Sequence, residues 1–223
     1  MCMVNVLIIG ASGGIGAALY RHHKDNGYDV VGLSRSVDGL NIVDEQSVSE
    51  HLGHLDRTFD RVIVATGALS VNGANPEKTI KAVNAQAMAD QFAVNAIGPA
   101  LILAHASRLL PRDRASVFAV LSAKVGSIGD NRLGGWISYR AAKAALNQIV
   151  HTSAIELSRS HPKSSVVALH PGTVQTPFTS KYVARHDSVP ADQAGTNLAR
   201  VMDDLTPDQT GGFYDYTGTR LPW

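Results

Sequence analysis

Apolar residues in this chain form short continuous runs, and stretches of helical character separate them. Five runs predict strands: Val4–Ile9, Tyr28–Leu33, Arg61–Ala65, Ser116–Leu121 and Val166–His170. Five further stretches predict helices: Ile15–Asn26, Asp44–His54, Glu77–Val83, Ala87–Leu110 and Tyr139–Arg159. Continuous rather than alternating hydrophobicity indicates strands that are buried on both faces. The alternation of strand and helix predicts βαβ units, a doubly wound parallel sheet and a three-layer αβα sandwich.

Length and composition limit the number of domains and exclude some classes of function. No repeat or Pro/Ser-rich linker divides the 223 residues, so we expect a single domain over residues 1–223. The formal net charge is +1 and basic residues are scattered, which argues against a nucleic-acid binder. Cys2 is the one cysteine and allows no intramolecular disulfide. The Val4–Ile9 run lacks a basic leader and is far shorter than the ~20 residues of a membrane span. We therefore expect a cytoplasmic protein without a membrane segment.

The first predicted strand runs into a glycine-rich segment, Gly10-Ala11-Ser12-Gly13-Gly14-Ile15-Gly16, and a predicted helix follows. Glycine permits a tight turn and close approach of the backbone to a pyrophosphate, and a helix N-terminus offers free N–H groups to the anion. The spacing differs from the commoner Gly-x-Gly-x-x-Gly, but its place between strand and helix favours a Rossmann-type dinucleotide site. The residues expected in this turn are Gly10, Ser12, Gly13, Gly14, Ile15 and Gly16.

The same segment also fits Gly-x-Ser-x-Gly, the pattern of a hydrolase nucleophile on a strand-to-helix turn. In that alternative Ser12 is the nucleophile, and His170, at the end of a predicted strand, is the base. A nucleophile on the first strand would have no earlier segment for its oxyanion hole. The alternative also leaves Tyr139 and Lys143 without a role, so we favour the dinucleotide site.

The end of the second predicted strand bears on the choice of cofactor. It reads Ser34-Arg35-Ser36 and carries no acid. An acid at this point accepts a hydrogen bond from the ribose 2′-OH of NAD, whereas an arginine pairs with the 2′-phosphate of NADP. Arg35 therefore favours NADP(H), and NAD(H) stays open as a second cofactor.

Tyr139 and Lys143 are four residues apart on a predicted helix and so share one face. A free tyrosine, with a pKa near ~10, is a poor proton donor or acceptor at neutral pH. A nearby ammonium favours the phenolate and lowers that pKa, which suits general acid–base catalysis. Tyr-x-x-x-Lys is common by chance, and its value here comes from the other motifs.

Those motifs together resemble the short-chain dehydrogenases/reductases over essentially the whole chain. The glycine turn, Asn95 in Val94-Asn95-Ala96-Ile97-Gly98-Pro99, Tyr139 with Lys143, and Pro171-Gly172-Thr173-Val174-Gln175-Thr176 occur in that family's order. Two further stretches, residues 125–136 and 212–223, are similar to the C-factor and sniffer-type carbonyl reductases within it.

The resemblance implies a role for each matching residue. Tyr139 donates the proton to a carbonyl oxygen, Lys143 holds the ribose and lowers the tyrosine pKa, and Asn95 holds a water that connects Lys143 to solvent. Gly67 lies near the adenosine ribose and Thr176 near the nicotinamide. The remaining cofactor contacts implied are Arg35, Asn41, Ile42, Ala65, Thr66, Pro171, Gly172, Thr173 and Val174. A homodimer or homotetramer is implied as well.

The chain departs from the family pattern at the substrate oxygen. The family carries a serine three residues before the glycine numbered Gly126, and Ala123 stands there. Ser122 is one residue earlier, and a one-residue slip on a strand turns the side chain to the opposite face. Either the backbone bends so that Ser122 serves, or Ser127 substitutes, or the hydrogen bond is missing; we favour Ser122. Asn41 also replaces a common aspartate at the adenine.

We therefore expect an oxidoreductase that transfers a hydride between NADP(H) and a small carbonyl or alcohol, with neither nucleic acid nor membrane as partner. Ala123 and the C-factor similarity keep open an alternative from another class, a cofactor-binding signalling or regulatory protein with little turnover. The nine histidines show no metal-binding spacing, so no metal site is expected. The short segment Phe178–Val189, where the family has a substrate lid, predicts an open or partly covered site.

Overall fold

The computed structural model of the protein describes residues 3–176 and 187–223. Six parallel strands form one sheet in the order β2-β1-β3-β4-β5-β8. The strands of this sheet are β1 Asn5–Ile9, β2 Asp29–Leu33, β3 Arg61–Val64, β4 Ser116–Leu121, β5 Ser164–His170 and β8 Phe213–Asp215. Because β2 and β3 lie on opposite sides of β1, the winding direction reverses there, and a crevice is expected at the carboxyl ends of these strands.

Helices connect the strands and pack against the sheet. The α-helices are α1 Gly14–Asp25, α2 Arg35–Asp38, α3 Glu45–Gly53, α4 Ala85–Phe92, α5 Gly98–Leu103, α6 Ala106–Leu109, α7 Ile137–Leu157 and α8 Ala191–Asp204. The predicted doubly wound αβα fold is confirmed.

Both faces of the sheet are buried, as the continuous apolar runs predict. One hydrophobic cluster joins Val120 and Ala168 to Leu146 of α7. The other joins Leu121 and Leu169 to residues of α1 and α8. Successive side chains of β4 and β5 thus alternate between the α7 face and the α1/α8 face.

Two predicted helices differ from the structure. Glu77–Val83 forms a loop with only a 3-10 turn, Ile80–Ala82. The predicted helix Ala87–Leu110 is broken into α4, a π-helical turn at Ala93–Ile97, α5 and α6. Pro99 lacks the N–H that would bond the carbonyl of Asn95 in a regular α-helix, so the widened turn lies just before it.

The C-terminal part contains elements that the apolar pattern did not single out. They are α8, β8 and the short parallel pair β6 Val174–Gln175 and β7 Val189–Pro190. Gly195 lets α8 approach α1 closely, since an added Cβ there would lie 3.1 Å from the carbonyl carbon of Ala18. Across the described ranges, no helix combines the length and the apolar character that crossing a membrane requires.

Candidate active site

Two adjoining cavities open at the carboxyl ends of the strands. The first has a volume of about 390 Å³ and is bounded by β4, β5 and α7. The second has a volume of about 450 Å³ and lies towards β2. Five residues line both cavities: Ser12, Gly13, Ala65, Thr66 and Gly67. The two cavities therefore form one elongated cleft across the point where the winding reverses.

The turn between β1 and α1 is shaped by glycine. Gly10 has a φ of +89°, its N–H donates to the carbonyl of Leu33 at 2.7 Å, and its carbonyl accepts from Gly13 at 3.0 Å. An added Cβ at Gly10 would lie 2.9 Å from the carbonyl oxygen of Ala65, and one at Gly14 would lie 3.0 Å from Cβ of Thr176. Side chains at Gly10 and Gly14 would narrow the cleft, so the width of the cleft depends on glycine at both positions.

The N-terminus of α1 fits an anionic group. Gly13 is its N-cap residue and provides no side-chain hydrogen bond, and the first turn of Gly14–Asp25 contains no acid. The N–H groups of this turn and the positive end of the helix dipole therefore face the cleft without an internal counter-charge. A dinucleotide pyrophosphate is the kind of group that such a turn accommodates.

The second cavity is lined by both polar and apolar residues. Arg35, Asn41 and Ile42 line it, as expected for the adenosine side of a dinucleotide site. The hydroxyl of Ser36 donates to that of Ser12 at 2.9 Å, which ties the segment after β2 to the glycine turn. The hydroxyl of Thr66 is buried and has no hydrogen-bond partner within the described ranges. A buried polar atom of this kind fits a ligand that completes its hydrogen bonding.

Lys143 lines the first cavity and is 3% exposed. Its Nζ donates to the carbonyl oxygen of Leu121 at 3.0 Å. Burial lowers the pKa of this ammonium to about 7. An added Cβ at Gly67 would lie 3.4 Å from the same Nζ and 3.0 Å from Oδ1 of Asn95, so Gly67 separates these two side chains.

Asn95 is fully buried in the π-helical turn. Its Nδ2 donates to the carbonyl of Ala68 at 2.8 Å and to Oε1 of Gln91 at 2.7 Å, and its Oδ1 accepts from the N–H of Ala68 at 3.1 Å. Asn95 therefore holds the segment after β3 next to Lys143. Its expected role in holding a water stays a prediction.

Tyr139 lies in the first turn of α7, lines the first cavity and is 5% exposed. Burial raises the pKa of its phenol above the usual value. This direction is opposite to the lowering that we expected from Lys143. The reason is that desolvation dominates while the Lys143 ammonium is itself destabilised by burial.

The three positions considered for the substrate oxygen differ in their surroundings. Ser122 lines the first cavity, but its hydroxyl donates to Oδ1 of Asn147 at 2.6 Å. Ala123 also lines the cavity. Ser127 is not among the residues that line it, and its hydroxyl donates to the carbonyl of Trp223 at 3.2 Å and accepts from the N–H of Asp130 at 3.1 Å. The structure therefore argues against Ser127 as the residue that binds the substrate oxygen. Ser122 stays a prediction for that role, and its hydroxyl proton is donated to Asn147 in the structure.

His170, the last residue of β5, lines the same cavity as Ser12. The two side chains make no hydrogen bond to each other among the described residues; Ser12 bonds Ser36 instead. A hydrolase nucleophile needs a base within hydrogen-bond reach. The geometry thus lacks the central contact of the hydrolase alternative.

Glu77 is a contributor that the sequence pattern missed. Its carboxylate accepts hydrogen bonds from the N–H of Ser138, at 3.2 Å, and from the Ser138 hydroxyl, and so caps α7 from a distant loop. Burial opposes ionisation, but these hydrogen bonds hold the pKa of Glu77 below its usual value. The cap is needed because Trp136, at φ +52°, provides no side-chain cap of its own. An isolated glutamate in a loop carries no sequence signal for this contact.

Most of the predicted site residues meet in the cleft. Those that line it are Gly10, Ser12, Gly13, Gly14, Ile15, Arg35, Asn41, Ile42, Ala65, Thr66, Gly67, Ser122, Tyr139, Lys143, Pro171, Gly172, Val174 and Thr176. Three predicted residues do not line it: Gly16, Asn95 and Thr173. Gly16 packs against the Gly10 carbonyl, and the Thr173 carbonyl accepts from the N–H of Val189 at 3.0 Å. The expected lid, Phe178–Val189, lies mostly outside the described residues.

Comparison with known proteins agrees with this geometry. A family model for short chain dehydrogenases matches residues 4–187. The 1-hydroxy-2-glutathionyl-2-methyl-3-butene dehydrogenase of Rhodococcus sp. (strain AD45) is 30% identical over 230 residues, covering 99% of this chain and 100% of that protein. The C-signal protein of Myxococcus xanthus is 37% identical over 140 residues, covering 61% of this chain and 78% of that protein.

A solved structure has the same fold. A putative short-chain dehydrogenase/reductase from Burkholderia multivorans with bound NADP superposes with a TM-score of 0.83 at 24% identity, covering 100% of both chains. The match of the family model over most of the chain, and the full-length similarity to the Rhodococcus enzyme, establish the predicted resemblance. The chain belongs to the short-chain dehydrogenase family of oxidoreductases.

Proposed function

We propose that the protein transfers a hydride between NADP(H) and a small carbonyl or alcohol. The observation that carries this proposal is the single cleft in which an acid-free helix N-terminus, built on Gly13 and Gly14, faces Tyr139 and Lys143. The NADP bound to the Burkholderia multivorans protein supports the choice of cofactor. Arg35, which lines the second cavity, supports NADP(H) over NAD(H), which we expect to bind more weakly.

The cofactor would extend along the whole cleft. The turn Gly10–Gly16 would hold the pyrophosphate, Arg35 the 2′-phosphate, and Asn41 with Ile42 the adenine. Thr66 and Gly67 would lie along the adenosine ribose, and Val174 and Thr176 beside the nicotinamide. NADPH, when bound, supplies the hydride.

The protein's own side chains would supply the proton that the reduced carbonyl takes up. The Tyr139 hydroxyl would give its proton to the carbonyl oxygen as negative charge develops there. Lys143 would bond the ribose and, when protonated, place a positive charge in the site. That charge lowers the pKa of Tyr139 from the raised value that burial alone produces. Asn95 would keep Ala68 and Gly67 next to Lys143 through its hydrogen bonds.

The first cavity and one relative indicate the class of substrate. The apolar walls of the first cavity, whose space the nicotinamide would share, suit a small organic carbonyl compound. The name of the Rhodococcus relative describes an alcohol that carries a glutathionyl group, so a glutathione-conjugated alcohol belongs in the substrate panel. We further propose a homodimer or homotetramer, and the exposed Ile97 and Ile155 are candidate contact residues. Light scattering on the purified protein measures that state.

The function is tested by calorimetric titration with NADPH and NADH, followed by turnover of a carbonyl and alcohol panel. We expect NADPH to bind at least tenfold more tightly than NADH, and Arg35→Ala to remove most of that preference. Arg21→Ala, an exposed arginine on α1, is the matched control and leaves the preference unchanged. Failure of both cofactors to bind would refute the proposal. Tight binding without any turnover would favour the signalling or regulatory alternative.

A further inference from the structure

His170 is a polar residue of the first cavity whose hydrogen bonding is incomplete within the described part of the chain. Its ring lines the cavity together with Tyr139 and Lys143, and its Nδ1 is buried without a partner among the described residues. An unpaired buried polar atom costs on the order of 1–3 kcal/mol. Such an atom inside a ligand cavity indicates that the ligand completes its hydrogen bonding.

The register of the sheet directs the His170 side chain towards the catalytic helix. Ala168 packs in the cluster that includes Leu146 and Val150 of α7, whereas Leu169 packs in the opposite cluster. Because side chains alternate along a strand, His170 is expected to face the α7 side, the side that also carries Tyr139. The cavity lining agrees, since both residues contribute to it.

The two serines considered for the substrate oxygen are already engaged. Ser122 donates its proton to Asn147, and Ser127 donates its proton to the carbonyl of Trp223. Ala123 stands where relatives are expected to carry the serine that binds the substrate oxygen. Without a second donor, the developing negative charge on that oxygen would have only Tyr139, and loss of one such donor costs ~10²–10³-fold in rate.

His170 has the protonation state that a neutral donor requires. Burial lowers its pKa to about 4, Asp215 opposes that shift, and Lys124 adds to it. At neutral pH the ring is therefore uncharged, with one N–H donor and one acceptor. A neutral imidazole can polarise a carbonyl without competing with Tyr139 as the acid.

Resting on the proposed function, we propose that the imidazole of His170 donates a hydrogen bond to the substrate carbonyl oxygen, in the place that serine holds in relatives. His170 is then a catalytic residue beside Tyr139, and Ala123 no longer implies an inactive enzyme. The site favours substrates whose carbonyl oxygen is open to two donors rather than flanked by bulky groups on both sides.

The test compares His170→Leu, His170→Gln and Ser122→Ala with the unmodified protein on the best carbonyl of the panel. We expect His170→Leu to lower kcat by 30-fold or more while the NADPH dissociation constant changes by less than threefold. His170→Gln keeps a donor and should recover at least fivefold in kcat. His105→Leu, a half-buried histidine on the α5–α6 connection, is the matched control and should leave kcat unchanged.

Three results would overturn the assignment: a kcat for His170→Leu within threefold of the unmodified protein, a parallel loss of NADPH affinity, or a larger kcat loss in Ser122→Ala than in His170→Leu. Each of these leaves the proposed function intact as long as the unmodified protein turns over. If the unmodified protein binds NADPH but reduces nothing, the proposed function fails, and the assignment of His170 fails with it.

Discussion

His23 and His170 lie at opposite edges of the sheet, and comparing them shows how a structural site differs from a ligand site. Burial lowers the pKa of both His23 and His170 to about 4. At the amino edge, Nδ1 of His23 bonds the carbonyl of Leu19 at 2.8 Å, and its Nε2 accepts from Arg61 at 3.2 Å. At the carboxyl edge, Nδ1 of His170 has no partner among the described residues. Both histidines are therefore buried, but they differ in their partners. Both ring nitrogens of His23 are hydrogen-bonded, whereas Nδ1 of His170 is not, within the described residues.

The neighbours of each histidine repeat this difference. Arg61 continues the amino-edge network, since it pairs with Asp203 and its guanidinium lies 5.3 Å from the Tyr28 ring centroid. At the carboxyl edge, as far as residues 3–176 and 187–223 show, the Thr66 hydroxyl is also unpaired and Lys143 bonds one carbonyl. Buried groups that satisfy one another stabilise the fold, whereas groups left unsatisfied in a cavity are available to a ligand. Partner completeness, rather than burial or pKa shift, distinguishes His23 from His170.

The largest expected effect belongs to the carboxyl edge. Tyr139→Phe removes the phenolic proton and keeps the ring, so turnover should fall by ~10³-fold or more. NADPH affinity should stay within threefold, because the glycine turn is untouched. Steady-state kinetics and calorimetric titration on the same preparation measure both quantities.

The matched control for this change lies at the amino edge. Tyr28→Phe removes the hydroxyl of the ring that lies against Arg61 and should leave kcat unchanged. If Tyr139→Phe retained a tenth of the activity, the assignment of Tyr139 as the acid would be wrong.

The next effect is on stability and has a defined pH window. In the folded protein the pKa of His23 is about 4, below the 6.5 of an unfolded histidine. The unfolded chain therefore binds more protons between these values, and folding stability is lost as pH falls from 6.5 towards 4. We expect the stability of His23→Leu to depend less on pH in this window, by on the order of 2 kcal/mol.

At pH 7.5 the same variant should be less stable by on the order of 1–3 kcal/mol, because Arg61 loses an acceptor and the Leu19 carbonyl a donor. Urea unfolding at pH 7.5 and pH 5 measures both effects. NADPH affinity at pH 7.5 should not change. Equal pH dependence of the two proteins would show that His23 is not responsible for the acid sensitivity.

The sequence predicted the sheet and the cleft well for a common physical reason. Strands buried on both faces must be continuously apolar, and the turn after β1 must be glycine-rich where Ala65 and Thr176 approach it. Each requirement restricts the residue types of a few consecutive positions, so a short stretch of sequence is enough to reveal it. Tyr139 and Lys143 were singled out because a spacing of four places them on one helix face and because the other motifs accompany them in the family's order.

Contacts between distant segments could not be predicted in the same way. Glu77 caps α7 across 61 positions of sequence, and Ser122 bonds Asn147 across 25. Neither pair has a local signature. The rise that burial causes in the pKa of Tyr139 was not expected, because it follows from packing that the sequence alone does not define.

The smallest expected effect distinguishes a network from a single surface pair. Asp203 pairs with Arg61, whose side chain is 12% exposed, while Asp192 pairs with Arg21, with side chains 75% and 56% exposed. Exposed pairs contribute little because water screens them and two mobile side chains must be ordered. Asp192→Asn should therefore change the free energy of unfolding by less than ~0.5 kcal/mol, and Asp203→Asn should cost about 1 kcal/mol. Urea unfolding at low and high salt tests both changes. If Asp192→Asn proved as costly as Asp203→Asn, the amino-edge network would contribute no more than a surface ion pair.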